Sequence, residues 1–231
     1  MSTYCVSDLH GMNSKFKLLL ETISFSDRDT LYIIGDLVDR GPQPITLVQD
    51  IMVRPNVIPL AGNHDVAACL RLRRLIDGGR AEELDDETMM DMLLWYANGG
   101  ESTLKEFRKL TISQRIAVVE WLMDLDIYSE IRVGGKDYIL VHTGLGANAE
   151  PGRELDSYDL EDYLFSRSDY SRIIYPDKFI ISGHTPTQTI PGNPNPGRIY
   201  RANNHIAIDC GCCFGGYLGA LCLETGEEIY V

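Results

Sequence analysis

The chain has 231 residues, enough for one large domain whose apolar core needs no disulfide support. Its 34 acidic and 21 basic side chains give a formal net charge of −13, which argues against nucleic acid as a partner. No apolar run approaches the roughly 20 residues that a membrane-spanning helix needs, and the first residues lack a basic leader, so we expect a cytoplasmic protein without a membrane partner.

The six cysteines are expected to be reduced thiols, given the size of the chain and the expected compartment. Cys210, Cys212 and Cys213 are close in sequence but lack the paired spacing of a zinc site. We interpret them as small apolar side chains of the core.

The first third of the chain alternates between short apolar runs and amphipathic segments. The runs predict strands at 3–7, 30–34 and 57–60. The segments between and after them predict helices, the first capped by Asn13, the second starting near Pro44 and the third ending near Leu75. This alternation predicts parallel strands joined by right-handed crossovers.

Each of these three strands ends in a short polar motif. The first motif contains Asp8 and His10, the second contains Asp36, Asp39 and Arg40, and the third contains Asn63 and His64. Because open α/β sheets bind ligands at the carboxyl ends of their strands, these side chains are expected to meet at one site.

Residues from about 77 to 126 carry helical signals only, which predicts a helical insertion. Acidic caps are expected at 85–87, and Ser113 is expected to cap a later helix. The apolar group of Met89, Met90, Met92 and Leu93 is expected to face the core. The stretch 95–100 indicates only the end of a helix.

From residue 127 onward the period changes to that of strands. Strands are predicted at 127–133 and 136–141, joined by a glycine turn, and at 179–181. His142 and His184 follow two of them. The remaining strands, near 198–201, 205–209, 217–223 and 228–231, are expected to form a second sheet of hairpins.

Four of the five histidines therefore stand at predicted strand ends, which favours a shared metal centre over four separate structural histidines. The donors are carboxylate, imidazole and amide oxygen without a thiolate, which suits Mn²⁺, Fe²⁺ or Zn²⁺. His205 falls in an expected turn and receives no role.

These motifs, in this order, resemble those of the phosphoprotein phosphatase family of metallophosphoesterases, and most closely its short bacterial and phage-type serine/threonine protein phosphatases. The resemblance implies an α/β fold, a four-layer α/β/β/α sandwich of two mixed sheets flanked by helices. It also implies that residues 1–231 form a single catalytic domain, with the helical insertion at about 77–126.

The resemblance further implies a role for each site residue. Two divalent ions, with Mn²⁺ as first choice, would share Asp36, and a hydroxide between them would attack phosphorus in line. The implied metal ligands are Asp8, His10, Asp36, Asn63, His142 and His184. His64 would protonate the leaving group while paired with Asp39, and Arg40 and Arg167 would bind the phosphate oxygens, although Arg167 has a less favoured alternative as a surface arginine at a helix end.

Three functions remain open on the sequence. The expected one is a protein serine/threonine phosphatase acting on phosphorylated proteins or small phosphoesters, because Asp39 would support protonation of a poor alkoxide leaving group. The alternative is symmetrical hydrolysis of dinucleoside polyphosphates such as diadenosine tetraphosphate, which the stretch 207–213 resembles. The third is a non-enzymatic phosphate-sensing scaffold, which is disfavoured because such a protein should lack a metal ligand, whereas none of the implied ligands is missing from the sequence.

Overall fold

The computed structural model of the protein describes residues 1–76, 85–146 and 149–231. The first part of the predicted helical insertion, residues 77–84, lies outside the described residues. Within the described parts, no helix combines the length and the apolar character needed to cross a membrane.

The described residues form two five-stranded mixed sheets. The strands are β1 (Thr3–Val6), β2 (Thr30–Ile34), β3 (Val57–Leu60), β4 (Tyr128–Val133), β5 (Lys136–Val141), β6 (Lys178–Ser182), β7 (Tyr200–Ala202), β8 (His205–Ala207), β9 (Gly219–Cys222) and β10 (Glu228–Tyr230). The first sheet has the order β10-β9-β1-β2-β3, and the second has the order β4-β5-β6-β8-β7.

Parallel pairing joins the strands that end in the polar motifs. In the first sheet β1 pairs with β2 and β2 with β3 in parallel, with Thr3 opposite Thr30 and Leu31 opposite Val57. In the second sheet β6 pairs in parallel with β5 and with β8. The motifs follow the carboxyl ends of β1, β2, β3, β5 and β6, so the fold brings them to the same end of each sheet.

The last two strands correct one expectation. They do not join the second sheet, because β9 pairs antiparallel with β1 and β10 pairs with β9. Only β7 and β8 complete the second sheet. The segment between β8 and β9 must therefore cross from one sheet to the other.

Seven helices lie in the described residues: α1 (Asn13–Thr22), α2 (Pro44–Met52), α3 (Asn63–Ile76), α4 (Asp86–Trp95), α5 (Glu101–Phe107), α6 (Ile112–Met123) and α7 (Leu160–Leu164). The first six pack on the outer face of the first sheet, where Val6, Phe16 and Val119 share one buried cluster. The seventh covers the outer face of the second sheet, with Ile139 against Tyr163. Between the sheets, side chains of β1 and β2 meet those of β5 and β6. The predicted four-layer α/β/β/α arrangement is confirmed.

Several helix details differ from expectation. Asn13 lies inside α1 and makes no cap, since Met12 is the residue before the helix and has no side-chain bond to it. Thr111 rather than Ser113 caps α6, in a reciprocal pair of bonds with Gln114. Asp85 caps α4 as predicted, accepting the Thr88 N–H.

The apolar residues of α4 were expected in the core, and this is wrong for three of them. Met89, Met90 and Leu93 are exposed, and only Met92 packs partly against the cluster on the first sheet. The helix instead buries Trp95 at its last position. Helical spacing alone could not indicate which side of this helix faces the sheet.

Candidate metal centre and cleft

Asp36 lies at the centre of the candidate site, directly after β2, and is almost fully buried. Its Oδ2 is 3.4 Å from His10 Nε2 and its Oδ1 is 3.5 Å from His142 Nε2, so the carboxylate lies between two imidazoles. The His64 N–H donates to Oδ1 at 3.0 Å. Gly62 is required beside it, because a Cβ there would lie 2.2 Å from Oδ1.

Backbone carbonyls fix the orientation of both imidazoles. His10 Nδ1 donates to Val38 O at 2.8 Å, and His142 Nδ1 donates to Ile34 O at 3.0 Å. A carbonyl can only accept, so the neutral form of either ring has its lone pair on Nε2, the atom that faces Asp36. Burial lowers the pKa of His10 to about 3, so this ring is neutral at pH 7, as a metal ligand must be.

Asn63 and His184 lie on the side of His142. Asn63 Oδ1 is 3.1 Å from His142 Nε2 and 3.1 Å from His184 Nδ1. Burial lowers the pKa of His184 to about 3 as well. The remaining predicted ligand, Asp8, is tied to the loop of His184, because its carboxylate accepts the backbone N–H of His184 at 3.0 Å.

Two groups of donors in the described residues can each hold a metal ion, and they share Asp36. One contains His10, Asp36 and His64, the other contains Asp36, His142 and His184, and the donor atoms of each lie within 4.8 Å of one another. Imidazoles converging on a shared carboxylate fit a pair of borderline divalent ions. Asp8, which was predicted as a ligand, belongs to neither group.

His64 and Asp39 form the predicted pair, with His64 Nδ1 at 2.8 Å from Asp39 Oδ2. Burial opposes a charged ring, but the bond to Asp39 and the charge of Asp36 outweigh it and raise the pKa of His64. Asp39 is fully buried. Its carboxylate is held by two further donors, Trp95 Nε1 at 2.9 Å and Thr103 Oγ1 at 2.6 Å.

The stretch 95–100 therefore does more than end a helix. Besides the bond from Trp95, the carbonyl of Gly99 accepts the N–H of Arg40 at 3.0 Å. Gly99 has a φ of 109°, and a Cβ there would lie 2.6 Å from Arg40 Cγ. Both Trp95 and Thr103 were missed as site residues, because their partners lie more than 50 positions away in the sequence.

Asp65, in the first turn of α3, links two loops of the site. Its Oδ1 accepts the N–H groups of Leu37 and Val38 at 2.9 and 3.2 Å. Its Oδ2 accepts the N–H of Gly62 at 2.9 Å. Asp65 thus joins the third motif to the loop that carries Asp36.

A cavity of about 830 Å³ opens above the metal donors. Arg40 lies in its wall, with Nη1 at 2.6 Å from His10 Nε2 and Nη2 at 2.8 Å from His64 Nε2. Arg167 is exposed in the same wall and donates to Thr185 Oγ1 at 3.1 Å. Asp209 lines the cavity too, and burial raises its pKa to about 6; sequence reasoning gave this residue no role.

The backbone of the site is strained. Six of its residues have φ between 42° and 69°, the left-handed region that side chains other than glycine rarely adopt: Asp8, His10, Asp36, Asp39, Arg40 and His184. Such angles concentrate at functional sites because the loops there must turn sharply at a strand end.

Buried carboxylates and imidazoles at strand ends, with two arginines in the cleft above them, define a metal-dependent hydrolase of phosphate esters. The family model for calcineurin-like phosphoesterases matches residues 1–209. The chain belongs to this family and is a metallophosphoesterase.

Curated relatives carry a more specific name. A symmetrical bis(5'-nucleosyl)-tetraphosphatase from Acidovorax ebreus is 35% identical over 147 residues, which cover 63% of this chain and 44% of that protein. One from Buchnera aphidicola subsp. Schizaphis graminum is 27% identical over 259 residues, covering 94% of this chain and 93% of the relative. The match to the first relative thus spans less than half of its length.

Solved structures share the fold. A protein provisionally described as a diadenosine tetraphosphatase superposes with a TM-score of 0.67 at 19% identity, covering 100% of this chain and 92% of the other. A protein serine/threonine phosphatase from Saccharomyces cerevisiae gives 0.59 at 14% identity, covering 98% and 73%. At these identities the likeness concerns the fold alone.

The expectation of a protein serine/threonine phosphatase is wrong. The curated relatives are symmetrical bis(5'-nucleosyl)-tetraphosphatases, which was the alternative. The expectation depended on Asp39, which we interpreted as support for the protonation of an alkoxide leaving group. The structure gives Asp39 another reason to be present, because it ties Trp95 and Thr103 to the catalytic loop.

We predict that Thr103→Val, which keeps the shape but removes the hydroxyl, lowers the free energy of unfolding by about 2 kcal/mol, the scale of a hydrogen bond to a charged group. It should also lower kcat, because Asp39 loses a bond that fixes its position. Urea denaturation and steady-state kinetics measure the two effects. Thr103→Ser, which keeps the hydroxyl, is the control; equal losses in both variants would show that the hydroxyl does not matter.

Proposed function

We propose that the chain hydrolyses dinucleoside polyphosphates symmetrically, converting diadenosine tetraphosphate and water to two ADP. The observation that carries the proposal is the cleft itself. Its volume of about 830 Å³ is near the upper end of the volumes of small-molecule sites. The candidate metal ligands lie at the bottom of the cleft, and Arg40 and Arg167 lie in its walls. A long polyphosphate chain requires several cationic groups spread along such a cleft. The names of the curated relatives support the same reaction.

The metal ligands are part of the proposal. Asp36 would be shared by two ions, with Asp8 and His10 on one side and the remaining three ligands, Asn63, His142 and His184, on the other. Mn²⁺ stays our first choice because the set is carboxylate, imidazole and amide oxygen. When bound, such ions supply Lewis-acid chemistry and an activated water.

The protein's own groups would bind the phosphates and move the proton. Arg40 and Arg167 donate from planar guanidinium groups to phosphate oxygens. His64 Nδ1 is held by Asp39, which leaves Nε2 as the nitrogen that would pass a proton to the leaving oxygen. Arg40 Nη2 lies 2.8 Å from this atom, so the guanidinium would have to move from Nε2 to the phosphate oxygens before the transfer. We propose the whole described chain as the catalytic unit, with α4 to α6 holding the acid pair in place.

Incubation of the purified protein with diadenosine tetraphosphate and Mn²⁺ should yield ADP as the only nucleotide product, resolved by ion-exchange chromatography. In ¹⁸O-labelled water, one label should enter the terminal phosphate of one ADP of each pair. The Asp36→Asn variant, purified in parallel, controls for contaminating hydrolases. Formation of ATP and AMP, or no cleavage, would contradict the proposal.

The same Asp36→Asn variant tests the shared ligand. It should lose turnover and bind both ions more weakly, because one anionic group would be common to both ions. Metal analysis of the purified variant is the measurement. Retention of two ions per chain at the wild-type level would rule out the shared position.

His64→Asn should keep both metal ions and yet lose roughly 10²–10⁴-fold in kcat on glycerol phosphate, the usual contribution of general acid catalysis. The loss should be smaller on p-nitrophenyl phosphate, whose leaving group needs little protonation. Parallel kinetics on the two esters provide the comparison. An equal loss on both would argue that His64 does not deliver the proton.

A further inference from the structure

Phe214 is an unusual residue for the wall of a phosphate-binding cleft. Its side chain is 66% exposed, although it is large and apolar. It lines the same cavity as Arg40, His64 and Asp209. Exposure of this kind has no benefit for folding, since burial of a phenylalanine would stabilise the protein.

The backbone that carries Phe214 is held firmly. Phe214 ends a short helical turn between Gly211 and Gly215, whose φ angles of 72° and 85° suit glycine. The N–H groups of Phe214 and Gly216 both donate to Gly211 O at 2.9 Å. Lys15 Nζ from α1 donates to Gly216 O at 2.7 Å. The ring is therefore displayed by a fixed turn.

Phe214 adjoins a phosphate-binding group. The Arg40 Cζ lies 5.3 Å from the centroid of the ring, within the range of a cation–π contact. The two Nη atoms of the same guanidinium contact His10 Nε2 and His64 Nε2 at the floor of the cleft. An apolar ring and a guanidinium side by side match the two halves of a nucleotide, a flat base and a charged phosphate.

We propose that Phe214 binds a nucleobase of the substrate by stacking, an inference that rests on the proposed function and names the part of the substrate that this wall recognises. Aromatic side chains stack with any base, so the contact favours nucleotides over plain polyphosphates without selecting adenine. The turn between β8 and β9 is then the base-binding element, and the metal donors and arginines act on the phosphates.

The test uses inhibition of p-nitrophenyl phosphate hydrolysis by ADP and by inorganic pyrophosphate, at a constant concentration of free Mn²⁺. The two inhibitors share a diphosphate, and only ADP has a base. In Phe214→Leu the inhibition constant for ADP should rise about 10-fold, on the scale of base–aromatic stacking, while that for pyrophosphate keeps its wild-type value. Phe214→Tyr should keep the wild-type value for ADP.

Tyr217→Leu is the matched control. Tyr217 is an exposed aromatic residue three positions further along, but it packs against Tyr230 and Arg198 and is outside the cavity wall. Its replacement should change neither inhibition constant.

Two results would overturn the inference. A parallel rise for ADP and pyrophosphate in Phe214→Leu would mean that Phe214 acts only by supporting Arg40, and an unchanged value for ADP would mean that the ring does not contact the base. Because the assay does not require cleavage of a dinucleotide, its outcome is independent of whether diadenosine tetraphosphate proves to be a substrate.

Discussion

The cleft depends on the pairing of two loops whose backbones are strained. Beyond the ends of β1 and β2, the chain continues to hydrogen-bond across the gap, from Asp8 N–H to Gly35 O at 3.1 Å and from His10 N–H to Asp36 O at 2.8 Å. Left-handed angles at residues other than glycine cost roughly 1–3 kcal/mol each, so these bonds must offset a substantial penalty. Asp65 adds two more bonds to the second loop. This arrangement aims carboxylates and imidazoles at one point.

The sequence predicted the parts of the site that are local. A strand end followed by small residues and metal-type side chains is visible in a short window, and all ten predicted site residues lie in or beside the cleft. The limits of β2 and β3 were also predicted as the structure has them. Each is a short apolar run bounded by polar residues and glycine, a pattern that indicates where a strand begins and ends.

What could not be predicted depends on contacts between distant segments. Trp95 and Thr103 gain their role only when α4 and α5 lie against the loop of Asp39, and nothing in their own neighbourhood indicates that loop. The pairing of β9 and β10 with the first sheet could not be predicted for the same reason. A hairpin can pair with any free strand edge, and its own sequence does not indicate which one. The expected substrate, a phosphorylated protein, was wrong for a related reason. The sequence interpretation explained Asp39 by the chemistry of an alkoxide leaving group. In the structure, its hydrogen bonds to His64, Trp95 and Thr103 already account for its presence.

The helices on the first sheet hold part of the candidate site in place without taking part in the pairing of the strands. The strands of both sheets are held together by their own hydrogen bonds. Asp39 and Arg40, in contrast, are also held by hydrogen bonds from Trp95, Gly99 and Thr103, which lie outside the sheets. An opening of α4 and α5 alone would leave the strands paired and the proposed metal ligands at their ends, while His64, the proposed proton donor, would lose its orientation. We therefore expect the free energy with which these two helices dock, which cannot exceed that of the fold as a whole, to decide how long the proposed acid pair stays oriented.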